Sequence, residues 1–309
     1  MTTLLYSHPA CIEHDPGSNH PECPERLKAV LDGLNDPVFN NLERIEAPRL
    51  DIETIRRVHD TEYIERLMDA SPSEGCIYLD PDTVLSSGSV EAARRASGAA
   101  IDAVDQVMTG KATNAFCAVR PPGHHAESSQ AMGFCLFNSA ALAAVHARNV
   151  HMVSRAAVVD FDVHHGNGTQ HSFEGDASLF YASSHQWPAF PGTGSSDESG
   201  ILGNIVNVPL SPGAGSLEFR KGYVDQILPA LRSFNPEILI ISSGFDAHSK
   251  DPLAQINLVT EDYSWVTEQL LDIAATSCDG RVVALLEGGY DLGALRESVQ
   301  AHVLVLLAG

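Results

Sequence analysis

The stretch VVDFDVHHGNG, residues 158–168, ends an apolar run with Asp160, Asp162 and His164, and His165 stands alongside. In an extended chain, residues two apart face the same way, so the first three project together. Buried carboxylates are costly unless they are paired or bound to a cation. Three other apolar runs end in similar chemistry. EILIISSGFDAHSKDP delivers Asp246, RVVALLEGGYD delivers Tyr290 after Gly288 and Gly289, and NAFCAVRPPGHHA releases His124 and His125 behind a Pro-Pro-Gly turn. A lone aspartate at a strand end is commonly a helix cap, and a lone His-His pair is commonly surface or satisfied core. Four such ends on one chain favour a metal site, because unpaired buried polar groups are rare.

Two carboxylates and one imidazole suit a divalent ion such as Zn²⁺, with a position left for water or substrate. Asp162, His164 and Asp246 are the candidate ligands. Three protein ligands and an open position point to catalysis rather than structural support, because the ion would acidify its water and polarise a carbonyl. His124 and His125 then supply general base and acid, and Tyr290 a hydroxyl donor to an oxyanion. This is the chemistry of hydrolysing a stable amide.

The elements that must position these residues are short apolar runs: TLLYSH, NAFCAV, AAVVDFDV, LFYASS, NIVNVPL, EILIISSG and RVVALLEGG. Helical patterns lie between most of them, among them SVEAARRASGAAIDAVDQVMTG, NSAALAAVHARNV and EDYSWVTEQLLDIAATS, the last with Thr260 placed to cap it. Strands apolar on both faces and alternating with helices predict an α/β fold with a mostly parallel sheet covered on both sides. Ligands bind beyond the carboxyl ends of such strands. The Gly- and Pro-rich segments RPPGHHAESSQAMGF, HQWPAFPGTGSSDESGILGN and SPGAGS read as loops on one scaffold, the usual place for an active site. No repeat or linker divides the chain, so a single domain over 1–309 is expected.

The chain carries 40 acidic against 19 basic residues, a formal charge of −21. That field repels nucleic acid and anionic membranes and draws in cationic substrates such as lysine side chains or polyamines; it also serves solubility alone. Neither nucleic acid nor a membrane is expected as a partner. The six cysteines form no C-x-x-C pair or disulfide framework, the N-terminus has no signal-peptide pattern and no apolar run reaches bilayer length, so a cytoplasmic location is expected.

RPPGHHA, GFCLFN, VVDFDVHHGNGTQ, FPGTG, SSGFDAHSKDPL and LEGGYDL together resemble the histone deacetylase family, its class II branch most closely. The resemblance runs from HPECPERL near residue 20 to the final helix. It implies the arginase–deacetylase fold, one α/β domain with a central eight-stranded parallel sheet, and a zinc-dependent amidohydrolase that releases acetate from an acylated amine. By that resemblance Asp162, His164 and Asp246 fall on the zinc ligands, His124 and His125 on the tandem catalytic histidines, and Tyr290 on the tyrosine that polarises the scissile carbonyl. Asp160 falls on the carboxylate that orients His124, and Asn167 on the residue that orients His125. An asparagine orients its histidine without charging it, which leaves His125 easier to deprotonate and suits it to act as the neutral base.

The family also places a structural K⁺ beneath the zinc, which points to Asp160, Asp162, His164, Ser183 and Ser184, and a remote K⁺ held by carbonyls near Phe173 and Leu179. Phe134 and Phe190 are expected to line the substrate tunnel, although core packing is the ordinary role of a phenylalanine, and the Gly133 carbonyl to accept the substrate amide N–H. Leu253 stands where a polyamine-selective branch carries glutamate and argues against that selectivity. Arg26 matches an arginine of the inner cavity that could escort acetate; a salt bridge at a helix start is the other reading. The expected substrate is an N-ε-acyl-lysine peptide or protein, with an acetylpolyamine or other acetylated small amine as the alternative. An arginase-like binuclear manganese enzyme needs more bridging ligands than the motifs offer. A binding module without activity would ordinarily have lost a ligand or the tyrosine, and both are present.

Overall fold

The computed structural model describes residues 2–309. Its strands are β1 (Thr3–Ser7), β2 (Glu43–Glu46), β3 (Cys76–Tyr78), β4 (Val84–Ser86), β5 (Asn114–Cys117), β6 (Ala156–Asp160), β7 (Leu179–Gln186), β8 (Ile205–Leu210), β9 (Ile238–Ser243) and β10 (Val282–Leu286). Eight of them form one parallel sheet in the order β2-β1-β5-β10-β9-β6-β7-β8, while β3 and β4 make a small antiparallel hairpin. Every residue of β5, β6, β9 and β10 is buried, as continuous apolar runs in a sheet covered on both faces should be. These four are adjacent at the centre, and they are the four whose carboxyl ends deliver the candidate site residues.

The expected α/β sheet is observed with all eight strands parallel. Seven of them coincide with the apolar runs; the eighth, β2, reads ERIE, lies at the edge and is largely exposed, so it lacks the apolar signature. Two alanine-rich helices, Ser89–Met108 and Ser139–His151, cross the sheet together, their small side chains allowing close packing against each other and the strands. Asn138 caps the second helix, its side chain accepting the Ala141 N–H at 2.9 Å. Thr260 does not cap its helix. It is the first helical residue, and the Asp262 carboxylate instead accepts the Val259 N–H at 3.0 Å. Among the described residues, no helix is long and apolar enough to cross a membrane.

Candidate active site

The ladder of β6 stops at Asp160, but the two-residue alternation continues by another route. Asp160 Oδ1 accepts the Asp162 N–H at 3.0 Å, and Asp162 Oδ1 accepts the His164 N–H at 2.9 Å. Two successive side-chain-to-backbone turns thus keep Asp160, Asp162 and His164 on one side after the sheet has ended. Asp246 arrives from β9, and its Oδ1 accepts the Val163 N–H at 2.8 Å. His164 turns Nδ1 toward both carboxylates, 3.1 Å from Asp162 Oδ1 and 3.1 Å from Asp246 Oδ2. One donor atom from each of the three lies within 4.8 Å of the others.

The electrostatics of this trio suit a cation. Burial, followed by the neighbouring Asp162 charge, pushes the Asp246 carboxyl up to about 7. Burial disfavours a charge on His164, yet the two carboxylates outweigh it and hold the imidazole up to about 10. Two like charges in a dry site need a positive counterpart, and an oxygen–oxygen–nitrogen set is one that zinc accepts. The donor chemistry therefore fits the divalent ion that the sequence motifs imply. Space is reserved for the carboxylates by glycines. A Cβ on Gly244 would meet Asp162 Oδ2 at 2.0 Å, and one on Gly288 would meet Asp246 Oδ2 at 2.2 Å.

The tandem histidines follow the turn after β5, with ring centroids 4.0 Å apart. Their environments separate them. His124 Nδ1 lies 2.9 Å from Asp160 Oδ2; burial works against its charge, but Asp160 and then Asp162 lift its imidazole to about 10. His125 Nδ1 lies 2.7 Å from Asn167 Oδ1, and burial, followed by the His124 and His164 charges, drives it well below the usual histidine range. The surroundings thus favour the charged form of the first ring and the neutral form of the second.

Glu287 is a site residue that the motif reading passes over. It is buried at the end of β10; Oε2 accepts the Gly123 and His124 N–H groups at 2.7 and 3.3 Å, and the Ser242 hydroxyl donates to Oε1 at 3.1 Å. Its signal in the sequence is an acid directly after VVALL, where burial pushes its carboxyl up to about 7.

A cavity of about 240 Å³ opens above the trio, lined by His125, His164, Tyr290, Gly133, Phe134, Phe190, Leu253 and Asp82. Phe190 is 42% exposed and its ring lies 5.1 Å from that of His125, while the Phe134 ring lies 5.9 Å from that of Tyr290. Phe134 holds φ at +69°, a costly conformation for a bulky side chain, and its N–H is tied to the Thr83 hydroxyl at 3.1 Å. These two phenylalanines are cavity walls rather than core. Asp82, at the same cavity, belongs to none of the motifs. The Gly133 carbonyl accepts the Cys135 thiol at 3.3 Å, leaving one lone pair.

Arg26 lies beneath Tyr290, its guanidinium carbon 4.8 Å from the ring centroid. Nε donates to the Gly289 carbonyl at 2.6 Å, Nη2 to that of Glu287 at 2.5 Å, and Nη1 to Glu22 at 2.8 Å. The salt bridge at the helix start is therefore real, and the same side chain braces the loop carrying the tyrosine.

Ser183 faces Asp160 across the β6–β7 ladder, with Ser184 next to it, so the residues expected to hold a K⁺ beneath the zinc are neighbours. The remote K⁺ is expected near Phe173 and Leu179, whose carbonyls surround the Asn204 side chain. Both carbonyls accept the Asn204 side-chain amide at 2.9 Å, and that of Asp176 accepts it at 3.2 Å.

Residues 20–306 match the family model described as the histone deacetylase domain. The chain is 40% identical over 288 residues to the histone deacetylase-like amidohydrolase of Pseudomonas aeruginosa, covering 91% of this chain and 74% of that protein. It is 37% identical over 333 residues to the polyamine deacetylase HDAC10 of Mus musculus, covering 99% of this chain and 46% of that protein. The crystal structure of the HDA15 HD domain aligns with a TM-score of 0.94 at 36% identity, over 100% of this chain and 89% of that one.

Proposed function

The chain belongs to the histone deacetylase family and has its arginase–deacetylase fold, and from that premise we propose a zinc-dependent amidohydrolase that deacylates N-ε-acyl-lysine. The hydrolytic deacetylase activity follows from the family. The observation that supports the finer reading is the grouping of Asp162, His164 and Asp246, with His164, His125 and Tyr290 lining one cavity walled by Phe134, Phe190 and Leu253.

Asp162, His164 and Asp246 would hold the zinc, which when bound supplies Lewis acidity toward a water and the substrate carbonyl. The side chains do the rest. Phe134 and Phe190 flank the alkyl stem of the lysine, and the free lone pair of the Gly133 carbonyl accepts the substrate N–H. His125, neutral and oriented by Asn167, takes the proton from the attacking water and returns it to the leaving amine. His124, held as imidazolium by Asp160, supplies positive charge beside the growing oxyanion. Tyr290 donates its hydroxyl to that oxygen. A K⁺ beneath the site, among Asp160, Asp162, His164, Ser183 and Ser184, would offset the second face of the buried carboxylates. Arg26 retains two guanidinium hydrogens beyond its three contacts, which supports a part in escorting acetate.

A small acetylated amine is the second reading, favoured by the acidic charge and by the resemblance to a polyamine deacetylase. Leu253, 41% exposed at the cavity, offers no charge to a polyamine and weighs for lysine. All six cysteines are free, which supports a reducing, cytoplasmic setting. Turnover of acetyl-lysine peptides against acetylspermidine by the zinc-loaded enzyme tests the assignment. A higher kcat/KM on the peptides is expected; preference for acetylspermidine would replace the lysine reading, and no hydrolysis of either would remove both.

A further inference from the structure

A second group of metal-ligating side chains lies away from the catalytic cavity, on the two helices that cross the sheet together. Asp105 belongs to Ser89–Met108, and His146 and His151 belong to Ser139–His151. The Nε2 atoms of both histidines point at one oxygen, Asp105 Oδ1, at 2.7 and 2.6 Å. The imidazole centroids are 5.8 Å apart and steeply inclined, so the two lone-pair directions converge. The side chains of His146 and His151 are 9% and 17% exposed, whereas that of Asp105 is 40% exposed. The histidines are the more buried members, and the aspartate faces solvent.

We propose that Asp105, His146 and His151 bind a second divalent transition ion, of the zinc or nickel type, that clasps these two helices together. Two imidazoles and one carboxylate are a donor set that selects such ions over the oxygen-seeking Mg²⁺ and Ca²⁺. The donor atoms lie within 4.8 Å of one another, as do those of Asp162, His164 and Asp246, and Asp105 faces solvent, from which water would complete the shell. With one carboxylate against a divalent charge the site gains net positive charge, which the acidic surface of the chain favours.

The adjacent cation is Arg57, whose Nη1 lies 3.3 Å from His146 Nδ1. Donation from Arg57 places the imidazole proton on Nε2. On metal binding that proton moves to Nδ1, the ring stays neutral, and Arg57, an exposed side chain, swings into solvent. Arg57 therefore competes with the ion, and its removal should tighten binding. The site stands at the end of its helix opposite the Asn138 cap, about 20 Å along the axis, so the clasp bears on stability and not on turnover. It does not depend on the catalytic assignment.

The test is metal stoichiometry of the zinc-loaded full chain, by equilibrium dialysis against Zn²⁺ or Ni²⁺ and elemental analysis. Two ions per wild-type chain are expected, and one each in His151→Ala and Asp105→Asn, both of which keep wild-type deacetylation. Excess Zn²⁺ should raise the melting temperature of the wild type but not of either variant, and Arg57→Ala should bind the second ion severalfold more tightly. Asp246→Ala should keep one ion, which separates this site from the catalytic one. One ion in the wild type with none in Asp246→Ala, or two ions in both His151→Ala and Asp105→Asn, would overturn the proposal.

Discussion

Glu287 Oε2 accepts the Gly123 N–H at 2.7 Å, so the strand that leads into Tyr290 also anchors the turn that carries His124 and His125. The turn bearing the His pair and the loop bearing Tyr290, from different parts of the chain, share one buried carboxylate. Glu287→Ala would strand the Gly123 and His124 N–H groups, and each unsatisfied buried donor costs about 1–3 kcal/mol. A loss of roughly 2–6 kcal/mol in urea unfolding is expected, with kcat falling alongside. Glu287→Gln keeps an oxygen acceptor and should recover most of the stability. A wild-type unfolding midpoint in the alanine variant would show that the anchor is idle.

Asp246 supplies one of three ligands in the proposed zinc site, and each ligand holds a large share of the affinity. Asp246→Ala should lose deacetylation and weaken catalytic metal binding. A hydroxamate, chelating through two oxygens, should inhibit the wild type. Full turnover in Asp246→Ala, or indifference to hydroxamates, would count against an accessible zinc.

The His pair is separated by its anchors, Asp160 for one ring and Asn167 for the other. His125→Ala should lose most of kcat, because both water activation and leaving-group protonation pass through it. His124→Ala should lose less. Single-turnover rates on an acetyl-lysine peptide decide this, and equal losses or the reverse order would remove the division of roles.

Much of this site was legible because its chemistry falls at the ends of apolar strands. Asp160, Asp162, His164, Asp246, Tyr290 and the His pair are all delivered by runs that any buried sheet would show. What failed to show has physical reasons. β2, reading ERIE, is an edge strand whose side chains meet solvent, so no periodicity marks it. The continued alternation from Asp160 to His164 owes to side-chain hydrogen bonds, which spacing alone cannot distinguish from a longer strand. The contact of Asn204 with the Phe173 and Leu179 carbonyls joins residues distant in sequence, which no spacing shows. Glu287 was hidden in plain view, since two of the donors its carboxylate accepts from are backbone N–H groups that carry no residue identity.

His59 ties pH to stability away from the catalytic centre. It is buried; Nδ1 lies 2.8 Å from the Glu127 carbonyl, and Nε2 accepts the Asn138 N–H at 2.9 Å, next to the cap of the helix Ser139–His151. Burial, only partly opposed by the backbone carbonyls, lowers its imidazole to about 4. The unfolded chain has the ordinary value near 6.5. Between those values the unfolded state binds the proton more tightly, so stability is complete above pH ~6.5 and is lost as pH falls toward ~4, by about 3 kcal/mol in all. Urea unfolding of His59→Gln should lose that part of the slope between pH 4 and 6.5. An unchanged slope would assign the acid sensitivity to other groups.

Tyr290 is the residue whose role separates catalysis from packing most cleanly. It follows Gly288, where a Cβ would strike Asp246, and Gly289, which holds φ at +123°, a conformation that L side chains rarely adopt. Its N–H is fixed by Asp251 Oδ2 at 2.7 Å, and Arg26 stacks beneath the ring. Burial, only partly offset by Arg26, keeps the phenol well above the usual tyrosine range, so it is a proton donor at any working pH. A donor aimed where negative charge develops acts more strongly in the transition state than in the ground state. Removing one such donor costs on the order of 10²–10³ in kcat, or roughly 3–4 kcal/mol. Tyr290→Phe removes only the hydroxyl and keeps the ring over Arg26. Near-normal zinc content and melting temperature are expected, with acetyl-lysine turnover lower by about two to three orders of magnitude. A trifluoroacetyl substrate, whose oxyanion needs less help, should be spared part of the loss. Full activity in Tyr290→Phe, or a loss explained entirely by unfolding, would return the tyrosine to a packing role.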